Sequence, residues 1–391
     1  MNKKYHFSSI LGIVSFLTLS IMLSACFSPW QGDAGTIIIS FGSNAPGSRA
    51  AVFNSGSGKW ASETMDYIIP ALEHRITLKR STETITHTLA KGVTTGKFIV
   101  PSGLWEVTVE ALYENVQFAI SSAHVEVKGG QTNPLTLQMN PGDTTFYTAG
   151  TGEWNNTVTE ISATGTGKKY CIILTGDNNA TGSTIVNATF GMAASVTIVG
   201  NHTISLTGTG YMLITRPGQT VTIKDVQLKG LSTNNMDLVR VSNGVFIMEG
   251  NSSIYGNKTS GNGGGVYIDG GTFNMNGGAV YGNYAEGFGG GVYVSGGTFT
   301  MNGGTIYGNT ADSLGGGVCV GGGQFYMQGG TIYGTNEANN SLHNTSNYAG
   351  TNPSHALYAI NSASATVGGI IIGSTTGRID DTIRVVKRVW Q

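Results

Sequence analysis

The sequence predicts an all-β protein in which a β-sandwich module is followed by a parallel β-helix. Three observations support this prediction: one stretch repeats at a fixed period, the region before it alternates apolar and polar residues, and the composition is unusual. The chain of 391 residues contains 60 Gly, and only 11% of its residues are charged. Because Gly weakens helix interiors and suits tight turns, this composition favours many short strands.

The first 25 residues have the three parts of a signal peptide. Lys3 and Lys4 give a positive start, residues 10–22 are apolar, and the segment ends in Leu-Ser-Ala-Cys at residues 23–26. The apolar run is shorter than the ~20 residues that span a bilayer, so no permanent transmembrane helix is expected. The last four residues resemble the bacterial lipobox, which implies cleavage before Cys26 and its acylation. The alternative is an ordinary secretory signal with a chance Cys.

Residues 26–35 are expected to form a tether, and residues 36–141 to form the β-sandwich module. One strand alternates clearly, with Trp105 and Val107 predicted to face inward and Glu106 to face water. Seven strand candidates have the spacing of such a sandwich. They span residues 36–41, 74–80, 84–90, 97–101, 104–113, 117–127 and 135–139.

The sandwich module resembles immunoglobulin-like or transthyretin-like modules in two segments, PSGLWEVTVEAL (residues 101–112) and HVEVKGGQTNPLTLQM (residues 124–139). These segments match the closing strands of such modules, in which Gly and an aromatic residue precede alternating Val residues. Modules of this kind are common in bacterial surface proteins. The resemblance therefore implies a surface location.

A parallel β-helix is predicted over residues 144–391. A 26-residue unit occurs three times within residues 263–334: GGGVYIDGGTFNMNGGAVYGN, GGGVYVSGGTFTMNGGTIYGN and GGGVCVGGGQFYMQGGTIYGT, starting at Gly263, Gly289 and Gly315. A fixed period of this size is typical of a solenoid, whose coils bury their apolar faces against one another. Three short apolar runs per unit predict three strands per coil. Residues 144–262 keep this rhythm with irregular spacing.

Residues 26 positions apart are expected to stack in columns about 4.8 Å apart. Asn257, Asn283 and Asn309 form one such column at a turn, where their amides are expected to hydrogen-bond in a structural ladder. The predicted buried columns are Val266, Val292 and Val318; Phe273, Phe299 and Phe325; Met275, Met301 and Met327; and Val280, Ile306 and Ile332.

The repeats also contain Tyr-Gly-Asn-x-Ala followed by three Gly and Val, at residues 281–292 and 307–318. This pairing resembles the repeats of polymorphic outer-membrane proteins and, more widely, right-handed parallel β-helices of the pectin-lyase-like class. Tyr stands where that family has Phe. The resemblance implies a right-handed β-helix at a bacterial surface, and it leaves the activity open because lyases, hydrolases, adhesins and spacers share the fold.

Residues 335–354 interrupt the repeat and are expected to form an inserted loop, either a binding loop or a tolerated insertion. Residues 368–371 then correspond to residues 329–332 at an offset of 39, which is one period plus 13 residues. The charged tail is expected to close the last coil as a terminal cap. Cys171 and Cys319 lie nearly six coils apart, about 27 Å, and are expected to stay unpaired because a disulfide needs Cα atoms within about 7 Å.

The repeats offer little acid–base chemistry. Residues 259–342 contain no Lys, Arg or His, and their four acids share no position of the repeat: Asp269, Glu286, Asp312 and Glu337. The only mixed cluster lies in the irregular coils and comprises Lys224, Asp225, Lys229, Asp237 and Arg240. Asp225 and Arg240 are spaced near one coil and could approach each other, and a solvated turn or a surface ion pair is favoured over a catalytic role. No catalytic residue, cofactor or metal site is predicted. The calcium-binding GGxGxD pattern is absent.

Outward-facing Tyr residues form two candidate binding ladders. Because Val266 and Ile268 point inward, Tyr267 is expected to point outward. The ladders are Tyr255, Tyr281, Tyr307 and Tyr333, and Tyr267 with Tyr293. Exposed rings can hold flat sugar rings or a protein partner. Mutual packing along the stack is the alternative, and it is favoured.

Together these features predict a monomeric, lipid-anchored protein of the bacterial cell envelope, placed at the outer membrane. A non-enzymatic role is expected, as an adhesin or a structural module, with glycans or host and envelope proteins as partners. The alternative is a polysaccharide lyase or glycoside hydrolase on the same fold. A formal charge of −1 without a basic patch gives no electrostatic case for nucleic acid.

Overall fold

The computed structural model describes most of the chain after residue 33, in two compact units. Among the described residues, one unit contains residues 34–41, 68–113 and 117–141, and the other contains residues 114–116 and those from 142 onward. The predicted signal peptide and Cys26 lie outside the described residues. The described residues are 34–41, 68–164, 166–183, 189–335, 338–349, 355–359, 364–367, 370–372, 377–379 and 383–385. Within them, no helix has the length and apolar character needed to cross a membrane.

The first unit is a sandwich-like pair of sheets with strand orders β4-β1-β7 and β3-β2-β5-β6-β8. Its strands are β1 Ala34–Phe41, β2 Glu73–Arg80, β3 Glu83–Leu89, β4 Thr95–Pro101, β5 Gly103–Tyr113, β6 Val116–Val127, β7 Thr132–Leu137 and β8 Asn140–Pro141, with a 3-10 helix at Ile69–Ala71. The seven predicted strands correspond to β1–β7. The predicted alternation is confirmed, since Trp105 and Val107 are fully buried and Glu106 is exposed.

The second unit is a parallel β-solenoid of about seven turns, consistent with a right-handed β-helix. Its elements are β9 Thr144–Ala149, α1 Trp154–Thr164, β10 Lys169–Leu174, β11 Asn178–Ala180, β12 Ser195–Val199, β13 Thr203–Leu206, β14 Leu213–Thr215, β15 Thr220–Lys224, β16 Gln227–Lys229, β17 Val239–Ser242, β18 Val245–Glu249, β19 Ser253–Tyr255, β20 Lys258–Thr259, β21 Val266–Asp269, β22 Thr272–Met275, β23 Ala279–Tyr281, β24 Tyr284–Ala285, β25 Val292–Val294, β26 Thr298–Met301, β27 Thr305–Tyr307, β28 Thr310–Ala311, β29 Val318–Val320, β30 Gln324–Met327, β31 Gly330–Ile332, a 3-10 helix at Asn340–Leu342, β32 Thr345–Ser346, β33 Leu357–Ala359, β34 Ser364–Val367, β35 Ile370–Ile372, β36 Gly377–Ile379 and β37 Ile383–Val385.

These strands stack in three long sheets and one short sheet. Sheet 1 has the order β35-β34-β30-β26-β22-β18-β15-β12-β10-β9, sheet 2 the order β11-β13-β16-β19-β23-β27-β31-β37, and sheet 3 the order β14-β17-β21-β25-β29-β33-β36. The prediction of three strands per coil is incomplete, because two-residue strands form sheet 4, with the order β20-β24-β28-β32. Sheet 4 lies on the turn between sheets 2 and 3.

The predicted inward columns are confirmed in register. Phe273 pairs with Phe299, and Phe299 pairs with Phe325, with ring centroids 4.8 and 4.9 Å apart. The Val, Met and Ile columns are likewise fully or almost fully buried. The core is therefore a set of continuous apolar stacks along the solenoid axis.

Helix α1 was not predicted from the sequence. Trp154 and Ile161 lie on one face of this helix and are buried in the core of the first coils, where the Trp154 ring packs edge-on against Phe190 at 5.9 Å. Trp154 and Ile161 are seven residues apart, a spacing that places both on one face of a helix, and this spacing could have predicted the helix from the sequence. The helix covers apolar side chains of the first coils.

Residues 335–354 do not form one continuous inserted loop as predicted, because the middle of this segment rejoins the solenoid. Asn344 takes the ladder position after Asn309, at a separation of 35 residues, and β32 pairs in parallel with β28. Leu357 then pairs with Val318, 39 residues earlier. The insertion is therefore divided into nine residues before Asn344 and four residues after β32.

The predicted alignment of residues 368–371 with residues 329–332 is also wrong. Strand β35 turns back and pairs antiparallel with β34, and Ile332 pairs with Ile383 of β37. Strand β36 pairs antiparallel with β33 in the same way. Each long sheet therefore ends in an antiparallel strand, which closes the parallel stacking.

Cys171 and Cys319 are free and fully buried, which confirms the prediction that they stay unpaired. Burial raises the pKa of both thiols. Both side chains therefore behave as small apolar groups within the solenoid.

Candidate functional site

The Asn column is a buried hydrogen-bonded ladder. Asn283 Nδ2 donates to Asn309 Oδ1 at 3.1 Å and to the Ile254 carbonyl at 3.0 Å, while Asn283 Oδ1 accepts from the Asn257 backbone N–H at 3.1 Å. The ladder is longer than predicted and comprises Asn234, Asn257, Asn283, Asn309 and Asn344, all at most 3% exposed. Buried amides that bond within the chain are satisfied and hold the turn.

The first Tyr column lies on the outer face of sheet 2. The rings of Tyr255 and Tyr281 stack at 4.9 Å, and those of Tyr281 and Tyr307 at 5.0 Å, with planes parallel within 5°. Tyr333 instead meets Tyr307 edge-on at 6.1 Å. Each ring between two partners has both faces covered, so the arrangement favours mutual packing over stacking on sugar rings.

The second Tyr column, on sheet 3, has its rings covered by other residues. The Tyr267 ring lies 5.3 Å from Tyr293, and the guanidinium of Arg240 sits 4.2 Å above Tyr267. Phe288 stacks against Tyr293 at 6.1 Å. These contacts leave little free ring surface on sheet 3.

Arg240 belongs to a closed ion pair. Its guanidinium donates to both carboxylate oxygens of Asp237, at 2.6 and 3.1 Å, and also lies 5.0 Å from the Tyr211 ring. Asp237 is 2% exposed, and this burial raises the pKa of its carboxyl to about 6 although Arg240 pulls in the other direction. The predicted approach of Asp225 to Arg240 is wrong, because Asp225 lies in another turn and accepts from the Asn251 backbone N–H at 2.8 Å.

Two acids of the repeats, Asp312 and Glu286, each have a different partner. Tyr284 donates to Asp312, and this hydrogen bond raises the pKa of the Tyr284 phenol to about 12. Glu286 lies 3.0 Å from Lys258. Two depressions on the first coils, around Trp154 and around Gln219, have no carboxylate or His among the described residues that line them. In the described part of the chain, no three His, Cys, Asp or Glu residues group as metal ligands.

The outer face of sheet 1 carries columns that the sequence analysis did not single out. Two outward positions of β12, β15, β18, β22 and β26 hold half-buried side chains that are mostly hydroxyls and amides. The first column is Ser195, Thr220, Val245, Thr272 and Thr298, and the second is Thr197, Thr222, Ile247, Asn274 and Thr300. Beside them, Asn302 Nδ2 donates to Asn276 Oδ1 at 2.9 Å. In the sequence, Thr residues alternate with buried residues and recur at the repeat period, and this pattern could have predicted the columns.

The fold and these surfaces define the chain as a parallel β-solenoid preceded by a sandwich-like module. No protein-family model matches it, and no curated protein or solved structure shows significant similarity.

Proposed function

We propose that the chain is a lipid-anchored protein of the bacterial cell envelope, at the outer membrane, whose solenoid is a non-enzymatic binding module. The lipobox-like residues 23–26 support the anchor at Cys26, and the likeness of the repeats to polymorphic outer-membrane proteins supports the surface location. An immunoglobulin-like or transthyretin-like identity of the first unit fits the same setting.

The observation that carries the binding role is the regular, uncharged outer face of sheet 1 over β22 and β26. Its side chains recur about 4.8 Å apart along the solenoid and about 6.6 Å apart along each strand. Thr272, Asn274, Thr298 and Thr300 offer neutral donors and acceptors on this grid. Such a face suits a ligand that repeats along its length and presents hydroxyl groups, namely an unbranched, uncharged glycan.

A glycan array probed with the full chain in mild detergent tests this proposal. Thr298→Glu places an unpaired charge on sheet 1, and we expect it to weaken binding about tenfold, because an uncharged glycan leaves that charge unsatisfied. Thr305→Glu is the matched control: it is equally half-buried, lies in the same coil and faces outward on sheet 2.

Binding that both variants retain, or that both lose, would reject sheet 1 as the binding face. The array is also read by mass spectrometry for released products. Cleavage of any glycan would replace the binding role with the polysaccharide lyase or hydrolase alternative.

A further inference from the structure

The tyrosine ladder of sheet 2 has a geometry that suits chemistry between its own members. Tyr255, Tyr281 and Tyr307 follow one another on β19, β23 and β27, with ring centroids 4.9 and 5.0 Å apart and planes within 5° and 1° of parallel. All three side chains are partly exposed. Three phenols are therefore held next to one another within reach of solvent.

The residues beside this column are small. Ser253, Ala279 and Thr305 lie two positions before the three tyrosines, on the same strands. Short side chains at these positions leave room for a phenol ring to turn toward its neighbour. Tyr267 and Tyr293 on sheet 3 lack this freedom, since Arg240 covers Tyr267 and Phe288 packs on Tyr293.

We propose that Tyr255, Tyr281 and Tyr307 form a site of oxidative cross-linking, in which two neighbouring rings become joined as dityrosine. A one-electron oxidant, such as the ferryl haem of a peroxidase, takes one electron from each phenol, and each phenolic proton passes to water. The two tyrosyl radicals couple through a carbon–carbon bond between ring carbons ortho to the oxygens. Each displaced ring hydrogen then shifts to its oxygen, which restores both phenols. The product has lost two electrons and two protons in total and is two hydrogens lighter.

The β-solenoid itself favours coupling between these residues. Neighbouring strands are already hydrogen-bonded in register, so the main chain holds the two rings next to each other before any oxidation. Holding two reactants side by side replaces a bimolecular encounter with an intramolecular one, which raises the rate strongly. The cross-link ties one coil covalently to the next on the outer face of sheet 2.

The test treats the full chain in mild detergent with hydrogen peroxide and a haem peroxidase. We expect dityrosine fluorescence in the monomeric fraction, and a digest in which the peptide of Tyr281 is joined to that of Tyr255 or Tyr307. Tyr281→Phe keeps an aromatic ring in the stack but leaves the phenols of Tyr255 and Tyr307 a whole coil apart. The yield of ladder cross-link should then fall about tenfold or more.

Two further variants keep the outcome decisive. Tyr255→Phe should abolish the link between Tyr255 and Tyr281 and keep the link between Tyr281 and Tyr307. Tyr326→Phe is the control, because its column neighbours on sheet 1 are Thr300 and Thr366, and it should leave the yield unchanged. Cross-links formed only between molecules, links confined to other tyrosines, or equal ladder yields in wild type and Tyr281→Phe would each overturn the proposal.

Discussion

The last irregular coil and the regular coils build the same turn with different residues. Val239 pairs with Val266, so Asp237 and Gly264 stand at equivalent positions, each two residues earlier. In the regular coils this Gly lets backbone pack on backbone: a Cβ at Gly290 would lie 2.4 Å from the Thr310 carbonyl oxygen. In the irregular coil the side chain of Asp237 is buried and neutralised by Arg240.

This difference shows two ways to close one turn. Backbone packing at Gly requires no charge to leave water, so it can be repeated from coil to coil without an electrostatic penalty. A buried ion pair requires a matched partner and loses solvation on both groups. The strict 26-residue period is therefore found where the turn is closed by Gly.

The largest loss of stability is expected from Gly290→Ala. The added methyl would meet backbone atoms of Thr310 and Gly316 at 2.4–2.6 Å, and neither can move without shifting the next coil. We expect the free energy of unfolding to fall by at least about 3 kcal/mol, the upper end for overpacking. The measurement is urea unfolding followed by circular dichroism.

Gly282→Ala is the control for Gly290→Ala. Gly282 has a left-handed backbone, with φ of +62°, whereas Gly290 does not, and a Cβ at Gly282 would have no neighbour within 4 Å. Gly282→Ala should lower the free energy of unfolding by about 1 kcal/mol, from the backbone conformation alone. Equal losses at the two positions would show that close packing does not set the period.

A smaller effect is expected from Asn283→Ala. The change leaves the Asn257 N–H and the Ile254 carbonyl buried without their partner, and we expect a loss of about 2–3 kcal/mol in urea unfolding. Asn274→Ala, on the outer face of sheet 1, should change stability by less than about 0.5 kcal/mol.

The same change at Asn234 tests the ladder in the irregular coils. Asn234 exchanges hydrogen bonds with Gly210 in both directions, at 2.8 and 3.0 Å. A loss similar to that of Asn283→Ala would show that the ladder stabilises both regions equally. A much smaller loss would confine its importance to the regular repeats.

The repeat period predicted the buried columns but not the full ladder. Asn234 and Asn344 were missed because they lie 23 and 35 residues from their neighbours, not 26. Register along a solenoid is maintained by core packing and ladder bonds, and these tolerate turns of different length. A fixed spacing therefore fails wherever a turn gains or loses residues, as it does between Asn309 and Asn344.

Side-chain partners on the surface were harder to predict than columns. The sequence placed Tyr281 and Tyr307 in one outward column, but the covering of their ring faces depends on rotamers that a repeat pattern does not specify. Arg240 was paired with Asp225 on the basis of coil spacing. Its actual partner is Asp237, three residues earlier and buried at the turn position that Gly occupies in the regular coils.

The smallest predicted change in stability depends on pH, and it distinguishes the irregular coil from the regular coils. Burial raises the pKa of Asp237 to about 6 in the folded chain, whereas an unperturbed Asp titrates near about 4. Between these values the folded state holds the proton more tightly than the unfolded state. The free energy of unfolding therefore falls as pH rises through this window. From about pH 5 to about pH 7 the wild-type chain should lose about 1 kcal/mol relative to Asp237→Asn, which does not titrate.

Urea unfolding of both proteins across this pH range measures the difference in slope. Asp143→Asn changes an exposed acid, and this control should keep the wild-type slope. If Asp237→Asn also kept it, the turn would carry no buried titrating group, and the contrast between Asp237 and Gly264 would be one of shape alone. A slope lost only in Asp237→Asn would mean that the irregular coil, unlike its neighbours, contains a buried carboxyl whose ionisation lowers the free energy of unfolding.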